Sequence, residues 1–385
     1  MKLGIEAVNI KGGGGVTHLT ELIRYSKPGK YGITEIIIWA SQKTLDQIPN
    51  YPWINKIHHP FINGSFIKRF MWIKFFFPKQ IKNCDVALFP GGVYSGSFKP
   101  FVAMSQNMLY YDKKESDRYG MSFKKFRLFL LRNMQRKSFG KAEGIIFLSR
   151  YASDKINASM NLKNKNMRII SHGISERFSQ KPKLQYPIEH YSRNEKLEIL
   201  YVSNISLYKH HYNVITAVYE LKKKGLPIKL TLIGKVIEKV AYEKLKEAID
   251  NTNTDEKLVD FYKEIEYNEL DKYYKKADVF LFASTCENLP NIVIEAMSAG
   301  LPIASSYYGP MGEVLKDSAL FFDPLSITDI RNTIEKLIMD KDLRKMLADK
   351  AYEYSKQYTW EKCADETLNF IMYVFNKYHK INLVV

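Results

Sequence analysis

Short runs of aliphatic and aromatic residues recur along the chain, separated by stretches whose apolar positions return at helical spacing. In the first half these runs fall at 2–10, 35–40, 85–90, 101–106, 144–149 and 167–173. In the second half they fall at 197–203, 228–234, 259–265, 278–284, 302–307 and 319–324. Runs this apolar and short suit strands buried on both faces, and the helix-length segments between them suit crossovers of parallel sheets. Two such series predict an α/β protein of two doubly wound domains. The polar stretch 176–196 has two prolines and no clear periodicity, and reads as the linker between them. In doubly wound sheets ligands bind at the carboxyl ends of the strands.

A chain of 385 residues is long enough for two such cores. Its 45% hydrophobic and 26% charged content fits a globular protein, and no apolar run reaches the length of a membrane span. The N-terminus has an acidic residue and glycines where a signal peptide needs an apolar core. Cys84, Cys286 and Cys363 are widely spaced, with no metal-ligand pattern and no even disulfide set, which fits the reduced cytoplasm. Charge changes the picture more. Residues 1–190 hold 31 basic against 12 acidic residues, and residues 191–385 hold 27 against 29. The first half therefore expects an anionic partner: a membrane surface, a nucleic acid or an acidic substrate.

The candidate chemistry lies on the strand ends. "KGGGGVTHLTELI" (11–23) leads from the first strand into a helix, and glycines there let a backbone approach a phosphate at a helix N-terminus. His18 falls in that helix's first turn, as a capping, packing or catalytic group. "YVSNISLYKHHYN" (201–213) places Lys209 after a strand, within reach of a bound anion, and "TLIGK" (231–235) ends another strand. In "TCENLPNIVIEAMSAGLPIA" (285–304) Asn288 can cap and Pro290 suits the first turn of a helix stopped by Gly300 and Pro302. Glu295, among aliphatic neighbours, is expected either to face a polar ligand or to pair with a buried base. Asp340 and Asp342 sit at an apparent helix start, where acids cap, so no metal site is expected there. Cys286 reads as a filler of a tight turn, and His172 as either hinge packing or a site contact. "SFIKRFMWIKFFFPKQIK" (65–82) and "SFKKFRLFLLRNMQRKSFGK" (122–141) interleave aromatic residues with cations, and Phe123, Phe126, Leu130 and Met134 form one stripe of a basic helix. That combination suits the headgroup region of an anionic leaflet.

Glu287 and Glu295 are separated by seven residues after an apolar strand, with "EAMSAGLPI" and "GPMGEVLKDSALFFDP" beyond. This block resembles the retaining nucleotide-sugar glycosyltransferases of the GT-B fold, family 4. "GGGGVTHL" and "VSNISLYKHHYN" stand at matching positions, and "YTWEKCADETLNF" (358–370) resembles the family's C-terminal crossover. The resemblance implies an acceptor-side domain at 1–180, rejoined by a helix at about 363–385, and a donor domain at 190–362, with the site in the cleft between them. It implies that Glu287 contacts donor sugar hydroxyls and that Asn288, Leu289 and Asn291 embrace the sugar and diphosphate through their backbone. Glu295 would accept from the ribose diol, Lys209 would neutralise the diphosphate, and Gly14 and Gly15 would approach it from the first domain. Asn204, Gly234 and Lys235 join the donor side, and Glu287 and Lys209 are the catalytic candidates. Two departures stand out. An arginine usual before the phosphate lysine is replaced here by Ser203 and Asn204, and a histidine usual on the acceptor side is replaced by Gln106 and Asn107. With His18 and His172, these amides are the acceptor-side candidates.

The implied reaction is sugar transfer with retention, by same-face attack in which the leaving phosphate helps deprotonate the acceptor hydroxyl. No cofactor or metal is implied beyond the nucleoside diphosphate sugar substrate. The implied acceptor is a glycan or lipid-linked sugar of a bacterial surface polysaccharide, reached from the cytoplasm at the inner face of the membrane. Two other readings compete. A nucleotide-sugar epimerase shares the architecture but needs acid–base residues for which no convincing set is present. A nucleic-acid-binding protein would explain the basic half but not the paired glutamates, so no nucleic-acid partner is expected.

Overall fold

The structure is a computed structural model in which residues 1–253 and 257–382 are described. The last three positions of the expected C-terminal helix, 383–385, lie outside the described residues. The chain divides into two compact units, residues 1–173 with 359–385, and residues 174–358.

The first unit is built on seven strands: β1 (Lys2–Glu6), β2 (Glu35–Trp39), β3 (Ile54–Ile57), β4 (Val86–Phe89), β5 (Phe101–Ser105), β6 (Gly144–Phe147) and β7 (Asn166–Ile169). They form one parallel sheet in the order β3-β2-β1-β4-β5-β6-β7. Every residue of β4, β5 and β6 is buried, as apolar strands covered on both faces must be. Strand β3 was not expected: its sequence, INKI, is half-exposed at the sheet edge and too polar to stand out. The other six strands stop earlier than their apolar runs, because the chain stays buried beyond them, as Ala7, Val8 and Ile10 do after β1.

The second unit holds β8 (Leu197–Val202), β9 (Ile228–Ile233), β10 (Val259–Tyr262), β11 (Val279–Phe282), β12 (Ile303–Ser306) and β13 (Ala319–Phe322). They form a parallel sheet in the order β10-β9-β8-β11-β12-β13. Both sheets reverse their winding after their third strand, which puts the switch points between β1 and β4 and between β8 and β11. Loops leaving those strands open the crevice in which such sheets bind ligands.

The stretch 176–196 is not a free linker. It is part of the second unit, because Phe178 and Ile188 are buried and the guanidinium of Arg344 donates to the Gln185 side chain at 3.0 Å and to the Tyr186 carbonyl. The chain crosses between units at 173/174 and 358/359. The helix Trp360–Asn382 then packs on the helix Gly14–Tyr25 of the first unit. A side chain at Gly173 would stand 2.2 Å from the Trp360 nitrogen, so the returning chain requires a glycine there.

Candidate nucleotide-sugar site

In the second unit the switch between β8 and β11 brings Lys209 and Glu287 together. Past β8 the chain makes a single turn, Leu207–Lys209. It then passes through His210 in the left-handed region (φ 46) and enters the helix His211–Lys223. Past β11 it runs through Ser284 and Glu287 to the helix Asn291–Ser298. The ammonium of Lys209 ion-pairs with Glu287 Oε1, and the Ser284 hydroxyl donates to the same oxygen. The two side chains are only 8% and 14% exposed, and the ammonium lies 4.7 Å from the centre of the Phe282 ring. Lys209 is thus no solvated surface lysine. Its charge is held in low dielectric by one carboxylate and an aromatic face.

The two loops are stitched to each other. The Thr285 N–H donates to the Tyr208 carbonyl at 2.9 Å, and His210 Nε2 lies 3.2 Å from Thr285 Oγ1. Ser203 Oγ and His211 Nε2 are 2.8 Å apart, and burial pushes the His211 imidazole down to about 3, so it is neutral. Gly234 is needed for a packing reason: a Cβ would lie 1.7 Å from the Ser203 carbonyl oxygen. Asn204 is exposed. Lys235 is exposed as well and pairs with Glu264 at 3.3 Å, and no ion pair joins it to Glu287 among the described residues.

Glu295 is buried, and both its oxygens are engaged by phenols. Tyr274 donates to Oε2 at 2.9 Å and Tyr267 to Oε1 at 3.3 Å. Burial pushes its carboxyl up to about 7. Arg177 lies 3.8 Å over the Tyr267 ring, so a cation stands beside the cluster without an ion pair to the carboxylate. No local signal in the sequence marks these partners, which come from 21 and 28 residues upstream. Asn288 is not the helix cap. Pro290 holds that position in extended conformation, and the first turn receives no side-chain cap. Asn288 and Leu289 are buried, and Asn291 Oδ1 is buried with no partner among the described residues. A helix N-terminus left uncapped in a polar crevice offers free N–H groups to an anion.

In the first unit the glycine that conformation requires is Gly13 (φ 63), which precedes the helix; Gly14 and Gly15 form its first turn. A Cβ on Gly15 would meet Gln106 Oε1 at 3.2 Å, so the loop after β5 closes on the glycine turn. Asn107 Oδ1 accepts the Leu109 N–H at 2.9 Å and shapes that loop. His18 does not cap. It is buried, with its Nδ1 2.7 Å from Nδ1 of His172, and both rings pack on Trp360. Burial pushes His18 down to about 4 and holds His172 well below its ordinary value, so both are neutral and one donates to the other. Glu6, at the end of β1, is a buried carboxyl that the sequence reading passed over. Burial pushes it up to about 7, and it accepts the Val8 N–H at 3.0 Å.

Asp340 accepts the Asp342 and Leu343 N–H groups at 3.1 and 2.8 Å, so this Asp-x-Asp caps a helix. In the helix Phe123–Lys141 the buried residues are Leu128, Gln135, Ser138 and Phe139. The stripe Phe123, Phe126, Leu130 and Met134 is exposed by 82%, 57%, 44% and 37%. The segment 65–82 buries Trp72 and Phe77 and exposes Ile67, Phe70, Phe75 and Phe76. No helix among the described residues is long and apolar enough to cross a membrane.

The family model described as glycosyl transferases group 1 matches residues 185–354, nearly the whole second unit. Residues 185–354 are thus similar to the group 1 glycosyl transferases. The matched residues carry the Lys209–Glu287 pair, the Glu295 cluster and the uncapped helix. Among curated relatives, the O-antigen chain mannosyltransferase B of Escherichia coli is 30% identical over 96 residues, 25% of this chain and 25% of the relative. The chain spans about a quarter of the length of the first curated relatives it matches. Among solved structures, sucrose-phosphate synthase of Thermosynechococcus elongatus superposes with a TM-score of 0.77 at 15% identity, over 98% of this chain and 100% of that one. The Anabaena protein HepE, solved with UDP and glucose, gives 0.68 at 16%, over 96% and 99%. These likenesses extend to both units and show the fold, which is the GT-B type with two doubly wound α/β units.

Proposed function

We propose that the chain is a retaining glycosyltransferase that moves a sugar from a nucleoside diphosphate sugar to a glycan or lipid-linked acceptor. The observation that carries this reading is the buried Lys209–Glu287 pair at the switch point of the unit that the family model matches, beside an uncapped helix N-terminus. A departing diphosphate gains negative charge, and a preorganised ammonium with free helix N–H groups stabilises that charge without reorganising solvent. Glu287, freed from part of its bond to Lys209, accepts from sugar hydroxyls, which a carboxylate suits. Glu295 receives the ribose diol on the lone pairs that Tyr267 and Tyr274 leave open. Glu287 is bound to a lysine, which suits a clamp rather than a proton-transferring base. Same-face attack, with the leaving phosphate taking the acceptor proton, agrees with that and calls for no metal or cofactor.

The UDP bound to the Anabaena protein supports a nucleoside diphosphate leaving group. The O-antigen relative supports work on a bacterial surface polysaccharide. The basic first unit, with its exposed aromatic stripe, binds acceptor at the anionic inner face of the cytoplasmic membrane.

A thermal-shift screen against UDP, GDP, ADP and TDP sugars tests the donor half, since a ligand of the native state raises its apparent stability. One nucleotide sugar should stabilise the protein, and Lys209→Met should lose that shift. Turnover of the donor to an epimeric nucleotide sugar without acceptor would replace this reading by an epimerase.

A further inference from the structure

The loop that follows β5 reaches Tyr111 at the carboxyl end of the first sheet, the end at which doubly wound sheets take ligands. Tyr111 is 7% exposed, and its hydroxyl is buried with no hydrogen-bond partner among the described residues. A phenol in that state costs free energy until a polar group meets it. Arg132 lies 5.8 Å from the centre of the same ring, and its Nε is also buried without a partner among the described residues. Arg136, one helical turn further on, adds its charge beside the same phenol. The nearest acids in sequence are already engaged. Asp112 pairs with Lys155 at 2.6 Å and Glu115 with Arg118 at 2.7 Å. The helix Phe123–Lys141 itself has seven basic residues and no acidic one.

Phe129, Arg132 and Arg136 share one stripe of this helix by their i, i+3, i+7 spacing. Around its first turn an open depression of about 650 Å³ is lined by Met121, Phe123, Phe126 and Phe129, and each of these side chains is more than half exposed. One element thus joins an uncovered apolar surface to two guanidinium groups beside an unsatisfied phenol, one of them with its Nε buried and without a partner among the described residues. Guanidinium groups match phosphate oxygens with two parallel donors, and the phenol adds a third. Free phosphate needs no aromatic surface, and a hydrocarbon needs no arginines.

We infer that Arg132, Arg136 and Tyr111 receive the phosphate of a lipid whose hydrocarbon lies along Phe123, Phe126 and Phe129. The inference rests on the proposed lipid-linked acceptor and names the group by which such a lipid is held.

The test is co-sedimentation with phosphatidylcholine vesicles carrying either phosphatidic acid or phosphatidylserine at matched surface charge. The protein should prefer the phosphate monoester by about tenfold, the worth of one good charged hydrogen bond. The double variant Arg132→Gln, Arg136→Gln should lose the preference and keep the weaker binding common to both vesicles. Tyr111→Phe, which leaves every charge in place, should lose part of it. Equal binding to both vesicles, or a preference that survives in the double variant, overturns the inference. Full displacement by millimolar inorganic phosphate would show a phosphate-ion site and overturn the lipid part. Nucleotide-sugar thermal shifts on the same proteins separate the two readings. A preference without any nucleotide binding would sink the glycosyltransferase proposal, and nucleotide binding without a preference would sink this one alone.

Discussion

Lys209 and Glu287 form a candidate site by being a pair. Each is buried, and each is tolerable there because the other is present. Removing one partner strands a charge, so Glu287→Ala should cost about 3 kcal/mol of stability as well as the proposed transfer. Glu287→Gln keeps the volume and a hydrogen-bonding oxygen and should cost less while still reducing transfer. Urea denaturation of both variants checks this, and equal stability of all three proteins would show the pair to be solvated. Glu295 makes a pH prediction. Its carboxyl is held at about 7 against an ordinary 4.5, so the folded state binds the proton more tightly than the unfolded chain. That contribution is fully present below about 4.5 and is lost as pH rises to about 7. Glu295→Gln removes it, so the variant should gain on the wild type by about 3 kcal/mol across that window and hold level above it. Glu6 has the same shift, but it is present in both proteins and cancels in the comparison.

At the scale of elements, the helix Asn291–Ser298 shows how little a short element needs when its position is right. It is eight residues long and uncapped, and it sits where the loop from β11 meets the loop from β8. The helix Phe123–Lys141 shows the opposite economy, with a buried face of four residues and an exposed aromatic stripe. Phe123→Ser with Phe126→Ser should reduce binding to anionic vesicles by about a thousandfold, since each ring buried in the leaflet contributes about 2 kcal/mol. Melting temperature and nucleotide binding should stay unchanged, because these rings are 82% and 57% exposed in the folded chain. A fall in melting temperature would mean that the stripe is covered in solution.

At the scale of the whole molecule, the C-terminal helix completes a unit begun 359 residues earlier. Trp360 is the joint: it is buried against His18, His172 and Gly173. Trp360→Ala should cost about 3–5 kcal/mol and leave nucleotide binding by residues 174–358 intact at low denaturant. Calorimetry with and without nucleotide distinguishes that outcome from a uniform loss.

Much of this molecule is written locally. An apolar strand repeats in period and length, so twelve of the thirteen strands, the two doubly wound sheets and the strand-end placement of Lys209, Glu287 and Gly13–Gly15 follow from the sequence alone. The thirteenth strand, β3, pairs at an edge where none of its residues is fully buried, and nothing in INKI marks it. The expected linker differs from the structure for a related reason. Polar residues and prolines show that 176–196 is irregular, but only the packing of Phe178 and the bonds of Arg344 show that it is fixed. What the tertiary structure decided is which side chains meet. Sheet order, not sequence distance, sets Lys209 against Glu287 and puts the phenols of Tyr267 and Tyr274 on Glu295. It also sets His18 against His172, 154 residues apart, and Arg132 over Tyr111. Local pattern specifies an element because periodicity is a property of neighbours. A site joins the ends of several elements, and its geometry exists only after the sheets have closed.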